Sequence, residues 1–162
     1  MLYRDTARRL VLALKYGDRL EVSRPAAKWM ARSAADLLCD DMLVVPVPLH
    51  WRRLAARRYN QSALLASSLA RETGLACCLD LLQRPLSTPP FKKMDSAARF
   101  ATMQGAIRVR PKRRQRIVGR PLLLVDDVMT SGATLSAATK ACVEAGSGPV
   151  CVVTLARAAK DT

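Results

Sequence analysis

Two adjacent aspartates, Asp126 and Asp127, stand where an apolar segment gives way to a polar turn. Residues 122–125 predict a buried strand, residues 130–132 predict a turn, and the segment that follows predicts a helix. The N-terminus of a helix presents unpaired backbone N–H groups that bind phosphate. Carboxylates beside such a site can accept hydrogen bonds from the vicinal hydroxyls of a ribose. The predicted ribose-phosphate site comprises Asp126, Asp127, Val128, Met129, Thr130, Ser131, Gly132, Ala133 and Thr134. The two aspartates are also the candidate catalytic groups.

The chain is strongly and unevenly basic. Its 162 residues include 27 Lys and Arg against 13 Asp and Glu, which gives a formal net charge of +14. Such a surface favours an anionic partner, which can be a nucleic acid, a phosphorylated small molecule or an acidic protein. Between residues 83 and 125 the only acid is Asp95. The candidate nucleic-acid contacts in this region, called the basic cluster below, are Arg108, Arg110, Lys112, Arg113, Arg114 and Arg116.

Two interpretations of the basic cluster remain open at the sequence level, namely contact with nucleic-acid phosphates and a solvated hairpin. Alternation places Arg108 and Arg110 on one face of an edge segment, and Pro111 predicts a turn that carries residues 112–114. Such a turn would direct its charge into solvent, away from the ribose pocket. Only 4% of the residues are aromatic, so stacking on the bases of a single strand is not supported.

Length and composition bound the class of protein. A chain of 162 residues that is 50% apolar fits one globular domain. No apolar segment is long enough to span a bilayer and residues 1–5 lack a signal-peptide pattern, so we expect a cytoplasmic protein without a membrane partner. The five cysteines are irregularly spaced and the chain has one histidine, which argues against a protein zinc site and favours buried, reduced thiols.

The elements that position the site can be predicted from hydrophobic periodicity. Helices are expected over residues 6–16, 24–38, 60–72 and 133–145. Strands are expected over residues 42–47, 77–82, 117–125 and 149–155, with a break at residues 119–121. This alternation predicts an α/β fold with a mostly parallel twisted sheet flanked by helices. We expect one domain, with a helical lead-in over residues 1–40, an α/β core over residues 41–162 and a long loop over residues 85–105 that contains a weak helix.

Several segments resemble the competence protein F (ComF) family of predicted amidophosphoribosyltransferases. The segment around the two aspartates is similar to the ribose-phosphate signature of type I phosphoribosyltransferases, and it fits neither glycine-rich nucleotide motif. The other matching segments are LALKYGDR at 12–19, VPVPLHWRR at 45–53, RYNQ at 58–61, LSTPP at 86–90 and VVTLAR at 152–157. The resemblance implies a type I phosphoribosyltransferase fold over almost the whole chain.

The resemblance also implies positions for the other parts of such a site. The pyrophosphate loop would include Pro48, Leu49, His50, Arg52 and Arg53. Residues 85–105 would form a mobile hood loop that carries Lys92 and Arg99. Two interpretations stay open for most of these residues. The forked guanidinium groups of Arg52 and Arg53 suit pyrophosphate, but a solvated basic loop has the same composition. His50 is a catalytic base or a loop residue that orients the backbone, and Asn60 is a helix N-cap or a ligand contact.

The implied reaction transfers a 5-phosphoribosyl group between phosphoribosyl pyrophosphate and a nitrogen acceptor. Mg²⁺ would bridge the pyrophosphate and the ribose hydroxyls, because it prefers hard oxygen ligands. The family also implies a role in DNA uptake during natural transformation, beside a helicase and a recombination mediator in the cytoplasm. Two alternatives are a competence component whose pocket senses a nucleotide or only supports the fold, and a nucleic-acid-binding regulator on the same scaffold.

The sequence departs from the family pattern in three places. Family members usually carry an N-terminal four-cysteine zinc ribbon, which residues 1–162 lack, so we expect either that the ribbon was lost or that the start was assigned late. Phe91 replaces the usual glutamine of the hood loop. Residues 99–107 depart from the usual Arg-x-x-Asn-Val-x-Gly-Ala-Phe. An intact ribose-phosphate segment beside a diverged hood loop favours retained ligand binding over retained turnover.

Overall fold

The computed structural model describes residues 10–12, 22–50, 59–86 and 94–158. The helices with full bounds are α1 (Ser23–Ala34), α2 (Gln61–Thr73), α3 (Ser96–Met103) and α4 (Ala133–Glu144). The strands are β1 (Leu43–Pro46), β2 (Ala76–Cys77), β3 (Leu82–Gln83), β4 (Arg108–Val109), β5 (Leu122–Met129) and β6 (Val150–Arg157). Short 3₁₀ helices span Ala35–Leu37 and Pro111–Arg116. Within these described ranges, no helix is long and apolar enough to cross a bilayer.

The main sheet has the strand order β2-β1-β5-β6, and its pairs are parallel. Strands β1 and β5 pair at its centre, where Val45 lies opposite Leu124. On the other side of β5, Val152 of β6 lies opposite the same Leu124. Strands β3 and β4 form a separate antiparallel pair. This architecture confirms the predicted α/β fold with a parallel sheet flanked by helices.

Helices cover both faces of the main sheet. Val44 and Leu123 are buried in one core together with residues of α1 and α2. Val45 and Leu124 are buried in a second core together with residues of α4. Full burial of a valine or leucine side chain contributes about 1.5–3 kcal/mol to folding. Because both faces are covered, every position of β1 and the first four positions of β5 are apolar, and the sequence shows no alternation there.

Two of the predicted strands differ most from those in the structure. The strand predicted over residues 77–82 is wrong, because β2 ends at Cys77, the chain turns at residues 79–81 and β3 begins at Leu82. Leu81 is buried in the core beside α4, so the apolar pattern reflects a turn packed into the core. Strand β5 starts at Leu122, directly after the break predicted at residues 119–121, where Gly119 has a φ of +67°. It also continues to Met129, so that both aspartates lie within the strand.

The second half of the predicted hood loop contains helix α3, which confirms the helix expected there. Asp95 is its N-cap, and its Oδ1 accepts a hydrogen bond from the backbone N–H of Ala98 at 2.7 Å. Met103 is buried in the core beside α4, so α3 is docked on that helix. Residues 87–93 of the hood loop lie outside the described residues, as does most of the helix predicted over residues 6–16.

The cysteines match their predicted environment only in part. Cys78 and Cys142 are buried, and burial raises the pKa of the Cys142 thiol to about 12, so it stays protonated. Cys39 is exposed instead, because it lies between the 3₁₀ helix Ala35–Leu37 and the turn that precedes β1, outside both cores. All five are free thiols.

Gly148 lies where the segments that enter β5 and β6 approach each other. A Cβ at this position would lie 2.6 Å from the carbonyl oxygen of Gly119 and 3.0 Å from the carbonyl carbon of Arg120. We expect Gly148→Ala to lower the free energy of unfolding by about 1–3 kcal/mol, measured by chemical denaturation, because backbone must move to admit the methyl group. Gly74→Asn is the control, since Gly74 has a φ of +74° that asparagine tolerates and nothing lies within 4 Å of its Cβ. Equal losses for both variants would contradict the steric explanation.

Candidate functional site

Asp126 and Asp127 lie in the C-terminal half of β5, just before the loop that leads into α4. Gly132 is the N-cap of α4 and has a φ of +82°, a left-handed conformation that glycine adopts at least cost. The chain turns at this glycine, so the end of β5 and the N-terminus of α4 meet at one edge of the sheet. In parallel α/β sheets this is the edge at which ligands bind.

A small pocket lies between the end of β5 and the start of α4. Its volume is about 20 Å³, which is roughly the space of one water molecule. It is lined by Asp126, Val128, Met129, Thr130, Gly132, Ala133, Thr134 and Leu135. The pocket is therefore bounded by a helix N-terminus and by one of the two carboxylates.

The two carboxylates have different hydrogen-bond partners. Asp126 Oδ1 accepts bonds from the hydroxyl of Ser62 at 2.8 Å and from the backbone N–H of Asp127 at 2.9 Å. Asp127 Oδ1 accepts a bond from the backbone N–H of Val128 at 2.7 Å. The Asp126 carboxylate is thereby bound to helix α2. The Asp127 carboxylate is bound to the backbone of its own strand.

The first turn of α2 connects β1 with β5. Asn60 is the N-cap, as predicted, and its Oδ1 accepts a hydrogen bond from the backbone N–H of Ser62 at 3.1 Å. Its Nδ2 donates to the carbonyl oxygen of Val47 at 3.0 Å, in the loop that follows β1. Ser62 then donates to Asp126. The sequence alone did not single out Ser62, whose only signal is its place two residues after a capping residue.

A larger cavity of about 350 Å³ lies beside the C-terminal end of β1. Pro48 and Leu49 of the predicted pyrophosphate loop form part of its wall, together with Asn60 and Ala63 of α2. The other wall residues are Leu79, Asp80, Leu82, Gln83, Arg84, Pro85 and Arg110. They come from the turn before β3, from β3 itself and from the segments that follow β3 and β4. Arg84 belongs to no motif in the sequence, so its place in this wall could not be predicted.

Positive charge dominates the wall of this cavity. Arg84 is only 7% exposed, whereas Arg110 is exposed. Asp80 is the acid of the wall, and its Oδ2 accepts bonds from Nε and Nη2 of Arg113 at 3.0 and 2.8 Å. These bonds hold the pKa of the Asp80 carboxyl below its usual value, so it stays ionised and paired. The two arginines in its wall, Arg84 and Arg110, give the cavity a positive charge that suits phosphate oxygens.

The structure describes only two of the remaining predicted site residues, His50 and Arg99. His50 is buried in the same loop as Leu49, after β1. Arg99 is partly exposed in α3. Arg52, Arg53 and Lys92 lie outside the described residues, so the roles predicted for them stay predictions.

The basic cluster adopts a structure different from the predicted turn. Pro111 begins a 3₁₀ helix that extends to Arg116. Three of its arginines have partners within the chain, which are Asp80 for Arg113, the carbonyl oxygen of Ala145 for Arg114 at 3.2 Å and the Cys78 sulfur for Arg116 at 3.5 Å. These three side chains tie the 3₁₀ helix to neighbouring elements, although Arg114 and Arg116 are exposed and Arg113 is partly exposed to solvent.

One residue of the basic cluster, Arg110, lies at the 350 Å³ cavity, whereas none of the cluster lines the 20 Å³ pocket at the end of β5. Arg110 lines the 350 Å³ cavity, because the antiparallel pairing of β3 with β4 brings the residue after β4 alongside the turn that precedes β3, where the backbone N–H of Arg110 donates to the carbonyl oxygen of Leu81 at 2.8 Å. Arg108 and Lys112 are exposed, and their side chains form no hydrogen bond or ion pair with the other described residues. These two remain as groups that an external partner can reach.

The fold is that of the type I phosphoribosyltransferases. The glutamine phosphoribosylpyrophosphate amidotransferase of B. subtilis matches with a TM-score of 0.53 and 19% identity, over 88% of this chain and 30% of that one. The adenine phosphoribosyltransferase of Thermoanaerobacter pseudethanolicus matches with a TM-score of 0.52 and 12% identity, over 86% of this chain and 82% of that one. At such identities the likeness shows the fold alone.

The chain is a homologue of the DNA utilization protein YhgH and of competence protein F. It is 30% identical over 154 residues to YhgH of Salmonella typhimurium, covering 91% of this chain and 66% of the relative. It is 26% identical over 154 residues to competence protein F of Haemophilus influenzae, covering 92% and 67%. The chain thus spans about two thirds of the length of these curated relatives. No family model matches it. The resemblance to competence protein F is confirmed.

The loop between β5 and α4 is expected to hold a tetrahedral anion through backbone N–H groups at the start of α4. In crystals grown from sulfate we expect sulfate density beside residues 131–134, with the 20 Å³ pocket widened to admit it. Crystals of the same form grown from chloride provide the comparison. Sulfate bound elsewhere on the molecule while this loop stays free of density would contradict the prediction.

Proposed function

We propose that the protein binds phosphoribosyl pyrophosphate, or a related ribose 5-phosphate compound, across the C-terminal ends of β1 and β5. The observation that carries the proposal is that these neighbouring parallel strands end in complementary features. Strand β5 leads through the acid pair into the N-terminus of α4, and β1 leads into the wall of the 350 Å³ cavity. Hydrogen-bonded strands lie about 5 Å apart, so one ligand can reach both features.

Each part of the ligand has a place in this proposal. The N–H groups at the start of α4 bind the 5-phosphate, and Asp126 and Asp127 accept hydrogen bonds from the ribose hydroxyls. The pyrophosphate occupies the 350 Å³ cavity, where Arg84 and Arg110 neutralise its charge. The further cations proposed for this ligand, from the sequence, are Arg52, Arg53, Lys92 and Arg99.

The proposed chemistry is that of a phosphoribosyltransferase, a glycosyltransferase that uses a nitrogen acceptor. The bond between ribose C1′ and a pyrophosphate oxygen breaks, a bond from C1′ to the acceptor nitrogen forms, and that nitrogen loses a proton. Positive charge develops on the ribose near Asp126 and Asp127, and negative charge on the leaving pyrophosphate near Arg84 and Arg110. Fixed charges of this kind stabilise a transition state without reorganisation. The alternative is ligand binding without turnover.

The donor set at the end of β5 fits Mg²⁺. Asp126 and Asp127 supply carboxylates and Thr130 and Ser131 supply hydroxyls within one short segment, and hard oxygen ligands of this kind suit the ion. These residues would hold Mg²⁺ together with oxygens of the ligand. The ion would supply charge neutralisation for the pyrophosphate.

The ribose assignment can be tested with the double variant Asp126→Asn, Asp127→Asn. We expect its affinity for phosphoribosyl pyrophosphate with Mg²⁺, measured by calorimetry, to fall at least about tenfold, because bonds from ribose to charged acceptors are lost. Its melting temperature should change by only a few degrees. The control is Asp36→Asn, Asp40→Asn, since both acids are exposed and precede β1, at the opposite edge of the sheet. Unchanged affinity in the first variant would overturn the assignment.

A second candidate function is contact with a nucleic-acid backbone or docking to a protein, in line with the names of the relatives. The observation that favours it is the exposure of Arg108 and Lys112, whose side chains have no hydrogen-bonding or ion-pair partner among the described residues. On this proposal the protein acts in DNA uptake during natural transformation. A helicase and a recombination mediator are its proposed partners, in the cytoplasm and without a membrane.

This second function predicts a change in the salt dependence of DNA binding. Each phosphate contact contributes about −0.9 to the slope of log affinity against log salt concentration, so Arg108→Ser with Lys112→Ser should flatten the slope by about two units. The control Lys28→Ser with Arg32→Ser removes equal charge from exposed positions of α1, in the other helical layer. If the unmodified protein shows no salt-dependent DNA or RNA binding at low ionic strength, the exposed part of the cluster is a solubilising or protein-docking surface.

A further inference from the structure

Ser62 is a buried residue that touches one of the groups assigned to the ligand. It is 4% exposed in the first turn of α2, and its Oγ donates to Asp126 Oδ1 at 2.8 Å. It lines neither the 20 Å³ pocket nor the 350 Å³ cavity. Ser62 therefore acts on a ligand of this site through Asp126 and not by direct contact.

The position of Ser62 is itself fixed by its neighbours. Its backbone N–H donates to Asn60 Oδ1 at 3.1 Å, which caps the helix. Asn60 is in turn bound to the carbonyl oxygen of Val47 at 3.0 Å, so the turn is anchored to the end of β1. A buried side chain in a capped first turn has few rotamers open to it. The hydroxyl is thus held in place before any ligand arrives.

The orientation of the Asp126 carboxylate does not follow from its place in β5. Leu122 and Leu124, which share its parity along the strand, are buried on the α4 side of the sheet. Strict alternation would direct Asp126 to that side as well. Its carboxylate instead meets Ser62 of α2, in the opposite layer. The next residue of the same parity shares this change of side, since Val128 packs with Val125 on the side of α1 and α2. The hydrogen bond from Ser62 holds the Asp126 carboxylate on that side.

We propose that Ser62 is a positioning residue for ribose binding. Its hydroxyl holds the Asp126 carboxylate in the orientation that receives the ribose hydroxyls. This inference rests on the proposed function, because it presupposes that Asp126 contacts ribose. It predicts that the loss of Ser62 weakens ligands that contain ribose and spares ligands that occupy only the pyrophosphate cavity.

The test uses three variants and two ligands, phosphoribosyl pyrophosphate and pyrophosphate, each with Mg²⁺ in calorimetry. Ser62→Ala should bind phosphoribosyl pyrophosphate about tenfold more weakly, as expected for a lost bond to a charged group, and pyrophosphate with unchanged affinity. Ser62→Thr keeps the hydroxyl and should restore most of the affinity. Ser67→Ala, in the same helix, is the control, since the side chain of Ser67 forms no hydrogen bond with the described residues. Equal losses for both ligands, or no loss for either, would overturn the proposal.

A second measurement keeps the two proposals distinguishable. Crystal structures of the unmodified protein and of Ser62→Ala should show the Asp126 carboxylate in different rotamers. If the unmodified protein binds neither ligand, the proposed function fails. If the Asp126 carboxylate also has the same rotamer in Ser62→Ala as in the unmodified protein, the positioning role fails as well. If the protein binds phosphoribosyl pyrophosphate but the carboxylate and the affinity are both unchanged in the variant, only the positioning role is overturned.

Discussion

The parallel pairing of β1 with β5 is the constraint on which the candidate site depends. The register runs from Leu43 opposite Leu122 to Pro46 opposite Val125, so the residues that follow on both strands emerge at the same edge of the sheet. The pairing persists only while both faces of the two strands are covered by helices, since buried backbone needs its sheet partners and the side chains need apolar neighbours. The two helical layers therefore serve the site by burying the strands that carry it.

Much of the site could be predicted because its signals are local in sequence. A buried strand, an acid pair, a turn and a helix start follow one another within residues 122–134, and Asn60 is a recognisable N-cap. The contact between Ser62 and Asp126 could not be predicted in this way. It depends on how α2 packs against β5, and the alternation along β5 ends near the aspartates, where Val128 packs on the same side as Val125.

Two differences between prediction and structure have one physical origin. They are the split of the strand predicted over residues 77–82 and the pairing of part of the basic cluster within the chain. Residues 77–82 are apolar except for Asp80, and this pattern predicts one strand. In the structure the chain turns at residues 79–81 instead, and the turn exposes Asp80. Once the chain turns there, Asp80 is available to pair with Arg113, and part of the basic cluster is engaged within the chain. Charge that looks unpaired along the sequence can thus have a partner that only the tertiary fold supplies. Arg84 is the opposite case. It is not part of a basic cluster in the sequence, but the fold places it in the same cavity wall as Arg110.

Two carboxylates beside a phosphate-binding loop repel the ligand assigned to them, so this site needs a compensating positive potential. At 4 Å two unit charges interact by about 1 kcal/mol in water and by about 4 kcal/mol near a protein surface. The N-terminus of α4 supplies roughly half a positive charge, and Arg84 and Arg110 supply two more. Asp80 adds little repulsion because Arg113 neutralises it. The excess of 27 basic over 13 acidic residues raises the local concentration of any anion. The proposed anionic ligand at this acidic edge would therefore account for part of the positive charge, and the proposed nucleic-acid contact would fall to groups such as Arg108 and Lys112, whose side chains neither pair within the described chain nor line the 350 Å³ cavity.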